Sequence, residues 1–104
     1  MSLTVTTRTN KYNFAGPYLA VGMLEAKSGV YLISTKVPTG THRVLDVGQS
    51  GDVRARVEHH DRAPSWSKLK QDGLYASALY CDEPTRMRVE SELRGYFGPP
   101  CGER

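Results

Sequence analysis

Cysteine is scarce in these 104 residues: Cys81 and Cys101 can form one bridge at most, and they stand in no C-x-x-C pair. A disulfide-built scaffold and a dithiol redox motif are thereby excluded, and reduced thiols are the expectation. His42, His59 and His60 lack the Cys or His companions that a structural zinc site needs at short spacing, so no zinc is expected. No apolar run approaches the roughly 20 residues that cross a bilayer. There is also no basic start followed by an apolar stretch and a small-residue cleavage site, which leaves a cytoplasmic protein, not attached to a membrane, as the expectation. Internal repeats and low-complexity tracts are missing as well. The chain length allows one modest core, which excludes a multi-domain enzyme.

Charge of one sign is also in short supply, since 14 Lys and Arg against 11 Asp and Glu leave a formal +3. Solubility alone accounts for that excess. Its placement carries more meaning than its size. Arg54, Arg56, Arg62, Lys68, Lys70, Arg86, Arg88 and Arg94 all lie in the second half, where a phosphate-contacting face would need them.

Residues 1–28 are polar and mixed, broken at Gly16-Pro17, and carry one short apolar patch from Tyr18 to Leu24. They read as an N-terminal extension packed on or beside a domain spanning 29–104. Within that domain, Val30-Tyr31-Leu32-Ile33 predicts a strand ending in a loop with Pro38 and Gly40. Val44-Leu45-Asp46-Val47-Gly48 predicts its antiparallel partner. Asp52 is a suitable N-cap, and Val53, Val57 and His60 recur at helical spacing up to Pro64. Trp66 and Leu69 suggest a second short helical turn, and residues 74–80 are rich enough in Tyr, Leu and Ala for a third strand. Pro84 and Thr85 open a last helix with an expected inward stripe of Arg86, Val89, Leu93, Tyr96 and Phe97, stopped by Gly98-Pro99-Pro100. The order is β-β-α-α-β-α. The expected class is α/β (α+β), with a small three-stranded antiparallel sheet (29–34, 43–48, 74–80) flanked by helices.

Gly29-Val30-Tyr31, followed by a strand ending in Val47-Gly48, resembles the paired strand motifs of the GIY-YIG nucleases. Arg56 lies where that family has an arginine on its first helix, and His60 follows one helical turn later. Glu90 matches the metal-binding glutamate, with Leu93 and Pro99 at offsets similar to the family's E-x-x-L and terminal proline. The likeness runs from Gly29 to Gly102. Two positions depart from it. Asp46 stands where the second motif begins with tyrosine, and the asparagine expected past the prolines falls on Gly102. The resemblance implies a GIY-YIG-like fold and a metal-dependent endonuclease acting on DNA. The departures leave open a degenerate domain that binds nucleic acid, or a protein partner, without cleavage.

A phosphodiester hydrolase needs a hard cation, a positive group for developing phosphate charge, and a group that orients or deprotonates water. Glu90 is the candidate ligand for Mg²⁺ (or Mn²⁺), which commonly takes only one or two carboxylates and keeps several waters; the plain alternative is a solvated helix glutamate. Arg56 can fork two phosphate oxygens, or pair with Asp52 or Glu58. His60, four residues on, shares its helix face and can relay a proton, or be merely hydrogen-bonded at a core edge. Tyr31 would contact or activate the attacking water, with His60 as its helper, or serve as a core tyrosine. Asp46 is a second metal ligand or a pocket acid that pairs with Arg56. Arg54, Arg62, Lys68 and Lys70 are expected to contact the nucleic-acid backbone. Trp66 is core, or stacks on a base if exposed.

Overall fold

β3 (Gly29–Lys36) carries the apolar run and is buried from Gly29 to Thr35. In the computed structural model, which describes residues 2–102, it pairs antiparallel with β4 (His42–Ser50) on one side and β5 (Asp72–Tyr80) on the other. Successive strand side chains point to opposite faces, so the run feeds two cores. Tyr31 and Ile33 join Leu45, Val53, Val57, Trp66, Ala76 and Ala78. Val30 and Leu32 join Val5, Phe14, Val47, Val89 and Leu93. Two short helices, α1 (Val53–Glu58) and α2 (Ala63–Leu69), therefore cover the first face, and α3 (Glu83–Phe97) covers the second.

The sheet has five strands, not the three expected. β1 (Ser2–Thr6) and β2 (Lys11–Tyr18) extend it in the order β1-β2-β5-β3-β4, with β2 paired antiparallel to β5. Residues 2–18 thus belong to the same sheet as the strands read from the sequence. Proline inside a strand pattern reads as a break because it removes a ladder donor. Here Gly16 and Pro17 occupy an irregularity between Ala15 and Tyr18 where the register shifts. Gly16 has φ 118°, and a Cβ there would lie 3.0 Å from the Ala76 carbonyl oxygen, so a glycine is needed for the close approach to β5. Phe14, fully buried, then anchors β2 in the α3 core.

The first helix is shorter than expected: α1 stops at Glu58, so His60 lies in the connection to α2 and not on the helix face that carries Arg56. Asp52 accepts from the Ala55 amide at 3.0 Å, Asp82 from the Thr85 amide at 3.1 Å, and Gly98 ends α3 in the left-handed conformation. The inward stripe of α3 differs from expectation: Val89, Leu93 and Arg94 are buried, whereas Tyr96 and Phe97 are 50% and 37% exposed. The buried row ends on Arg94 because its guanidinium finds a buried carboxylate, Asp46, to pair with. Among the described residues, no helix is long and apolar enough to cross a membrane.

Candidate functional site

Tyr31 faces Gly48 across the β3–β4 ladder, and a Cβ at position 48 would collide with the phenol ring. The glycine of the second motif therefore leaves room for the tyrosine of the first. The phenol oxygen lies 2.6 Å from Nε2 of buried His60, with the two rings edge to face at 5.5 Å. The other ring nitrogen, Nδ1, accepts the Arg62 backbone N–H at 3.0 Å. A nitrogen that accepts cannot carry the proton of a neutral imidazole, so the proton sits on Nε2 and is donated to Tyr31. Burial, reinforced by Arg56 and Arg62, pushes the His60 pKa down to about 4 against the opposing pull of Asp46 and Asp61. The ring is neutral at pH 7. Burial also raises the Tyr31 pKa, with Asp46 adding to the rise and Arg56 and Arg62 opposing it.

Arg56 lies on α1 and donates from Nη2 to Asp61 Oδ1 at 3.1 Å, so its carboxylate partner is Asp61 and neither Asp52 nor Glu58. Asp61 also stands 3.5 Å from His60 Nδ1. Tyr31, His60, Arg56 and Asp61 thus form one connected group.

Asp46 opposes Ile33 in the ladder and so shares the Tyr31 face of the sheet. It is fully buried. Its Oδ2 accepts from Arg62 Nε and Trp66 Nε1, both at 2.8 Å. Its Oδ1 accepts from the Val47 amide and Arg94 Nη2 at 2.9 Å and from Arg62 Nη2 at 3.2 Å. Those contacts fill the acceptor capacity of a carboxylate. Asp46 therefore pairs with Arg62 and Arg94 rather than Arg56, and no lone pair is left over for a metal.

Arg94 comes from α3 on the opposite face and reaches Asp46 around β4, which is an edge strand. Glu90, one turn earlier on the same row, meets Arg94 Nε at 3.4 Å. Asp61, Arg62, Glu90, Arg94 and Gly102 line one polar cavity of about 540 Å³. Glu90 and the Tyr31 group are therefore brought to one opening, with Asp61 as the link, although α3 and α1 cover opposite faces. Arg54, Lys68 and Lys70 are exposed on or beside α1 and α2 and do not line that cavity. Of the four expected backbone contacts, only Arg62 does.

The two departures from the nuclease pattern meet on Arg94. Its Nη1 and Nη2 donate to the Cys101 carbonyl at 3.3 and 3.1 Å, and a Cβ on Gly102 would fall on the guanidinium. Glycine at 102 and aspartate at 46 are thus both conditions for seating this arginine. Asp61 was not among the residues expected at the site, and Arg94 was expected only as one of the basic residues of the second half. The available signal was the spacing of Arg86, Glu90 and Arg94, one row of the last helix. Among the described residues no group of three or more His, Cys, Asp or Glu gathers to hold a metal. No family model, curated protein or solved structure matches the chain.

Proposed function

We propose that the chain is a metal-dependent phosphodiester hydrolase, an endonuclease acting on DNA, with the GIY-YIG resemblance as its nearest description. The observation that carries this reading is the pairing of Tyr31 with a neutral His60 whose N–H points at the phenol oxygen, tied through Asp61 to the cavity bearing Glu90. A donor aimed at that oxygen stabilises a phenolate, the form that takes a proton from water. The Arg56 charge acts on Tyr31 in the same direction, and its bond to Asp61 on the cavity wall sets it beside the place where negative charge would develop on phosphate.

Glu90 fits a hydrated hard cation: its one ion pair among the described residues is with Arg94, and the cavity has room for the waters that Mg²⁺ keeps. When bound, Mg²⁺ or Mn²⁺ would polarise the phosphoryl oxygen. Arg62 and Arg94 face the same cavity, so their charges make a single carboxylate a weak site.

A second reading, DNA binding without cleavage, is favoured by one fact. Tyr31 is only 2% exposed, and water must reach it for catalysis. Incubating the protein with duplex, branched and single-stranded DNA separates the two. Cleavage that needs Mn²⁺ or Mg²⁺ and stops in EDTA supports the hydrolase. Strongly salt-dependent binding with no cutting supports the binder. Neither binding nor cutting points to a protein-interaction domain.

A further inference from the structure

Arg62 uses one edge of its guanidinium, Nε and Nη2, to fork the Asp46 carboxylate. Among the described residues nothing else accepts from it, and its side chain is 28% exposed while lining the cavity. Asp46 is held rigid in turn by the Trp66 indole, the Val47 amide and Arg94. Arg94 is itself fixed by the Cys101 carbonyl, and the Cys101 amide donates to Leu45 on β4 at 3.0 Å.

We infer that Asp46 is a positioning residue, which presents the outer edge of Arg62 to a phosphodiester oxygen in the cavity. A guanidinium has five N–H donors in a fixed plane, so pinning one edge directs the other. The fork leaves Nη1 and the second Nη2 hydrogen for a ligand, in the side-by-side arrangement that suits two oxygens of one phosphate. Rigidity lowers the entropy that an arginine otherwise loses on binding. Electrostatic attraction contributes little, because Asp46, Asp61 and Glu90 balance Arg56, Arg62 and Arg94 within this cluster. The receptor therefore depends on geometry: lysine, which offers a point charge without a fork, does not replace Arg62.

The inference rests on the phosphodiester reading of the cavity, and the following experiment separates the two. The dinucleotide dTpdT is titrated into labelled protein in EDTA, with the Arg62 Nε–H signal and the Trp66 indole N–H followed by NMR. Saturable movement of the Arg62 signal is expected, with affinity falling at least tenfold in both R62A and R62K. D46N is expected to lose the slow-exchanging Arg62 Nε–H signal and most of the affinity, and D46E to recover part of each. R62A keeps three other donors on Asp46, so it stays interpretable should D46N fail to fold. Undiminished binding in R62K, shifts centred on Arg54, Lys68 or Lys70 with Arg62 unmoved, or no saturable binding at all overturns the inference. Binding at Arg62 without metal-dependent cleavage discards the hydrolase reading alone. Cleavage that survives R62A discards the Arg62 receptor alone.

Discussion

A histidine kept neutral by burial makes folding depend on pH in a definite direction. The folded pKa of His60 is about 4, below the roughly 6.5 of an unfolded histidine. Between those values the unfolded chain binds a proton that the folded chain refuses, so stability is full above pH 6.5 and is lost as the pH falls toward 4. The charges facing the ring are Arg56 from α1, Arg62 from the following loop, Asp46 from β4 and Asp61. His42, also lowered by burial, acts in the same direction. The loss from His60 is at most about 3 kcal/mol, from 1.36 kcal/mol per pKa unit. Thermal melts from pH 7 to pH 4 should show a falling Tm, and the slope should flatten in H60Q; an unchanged slope in H60Q would place the effect elsewhere. Tyr31 makes a complementary prediction about rate. Its pKa is raised above the ordinary tyrosine value of about 10, so a phenolate base is a trace species at neutral pH. Cleavage should climb by about tenfold per pH unit through pH 7 to 9 without a plateau, and Y31F should remove the climb. A flat profile in that range would exclude Tyr31 as the base.

At the scale of elements, α3 has one row that builds the fold and another that builds the site. Val89 and Leu93 pack on the sheet, while Glu90 and Arg94 face the cavity. Glu92 belongs to neither row. It accepts from Thr7 and Asn10 and, at 2.6 Å, from the Tyr12 hydroxyl, and so ties the β1–β2 hairpin to the helix. Hydrogen bonds to a charged acceptor hold its pKa down and raise that of Tyr12 to about 12, the latter by burial first and Glu92 next. E92A should destabilise the protein by about 1–3 kcal/mol and raise amide exchange in β1 before it does so in β3; uniform loss of protection would instead mean that the hairpin unfolds with the rest. This hairpin was also the illegible part of the fold. Strands β3, β4 and β5 announced themselves through β-branched and aromatic runs bounded by turn formers. β2 carries Asn13, Gly16 and Pro17, and its strand character comes from pairing with β5 and from burying Phe14, neither of which is local information. The stripe of α3 failed at its end for a related reason, since a buried partner for Arg94 is visible only once β4 is placed beside the helix.

For the whole molecule, the decisive relation is that two helices on opposite faces of the sheet meet at the β4 edge. Tyr31, Arg56 and Glu90 were legible singly because each sits at a recognisable offset on a strand or helix, and His60 was legible by its distance from Arg56 although it lies past the end of α1. Asp61 and Arg94 were not, since their roles exist only where the two faces join. That joining also lets folding and activity be tested separately. Glu90 is partly exposed and, among the described residues, meets one ion-pair partner, so E90A should leave the melting temperature nearly unchanged. It should nevertheless remove Mn²⁺-dependent cleavage while DNA binding in EDTA persists. Arg56 is partly exposed and bound to exposed Asp61, a pair worth little to stability. R56A should therefore also melt normally, yet lose about a hundredfold to a thousandfold in rate, the cost of removing one group that meets transition-state charge. The control is R94A, which leaves Asp46 with fewer partners in the interior and should lower stability by about 3–5 kcal/mol. Should E90A and R56A instead melt early, or cut at the native rate, these charges serve the fold or its solubility, and the reading of a weak metal site facing a phosphate-binding arginine fails with them.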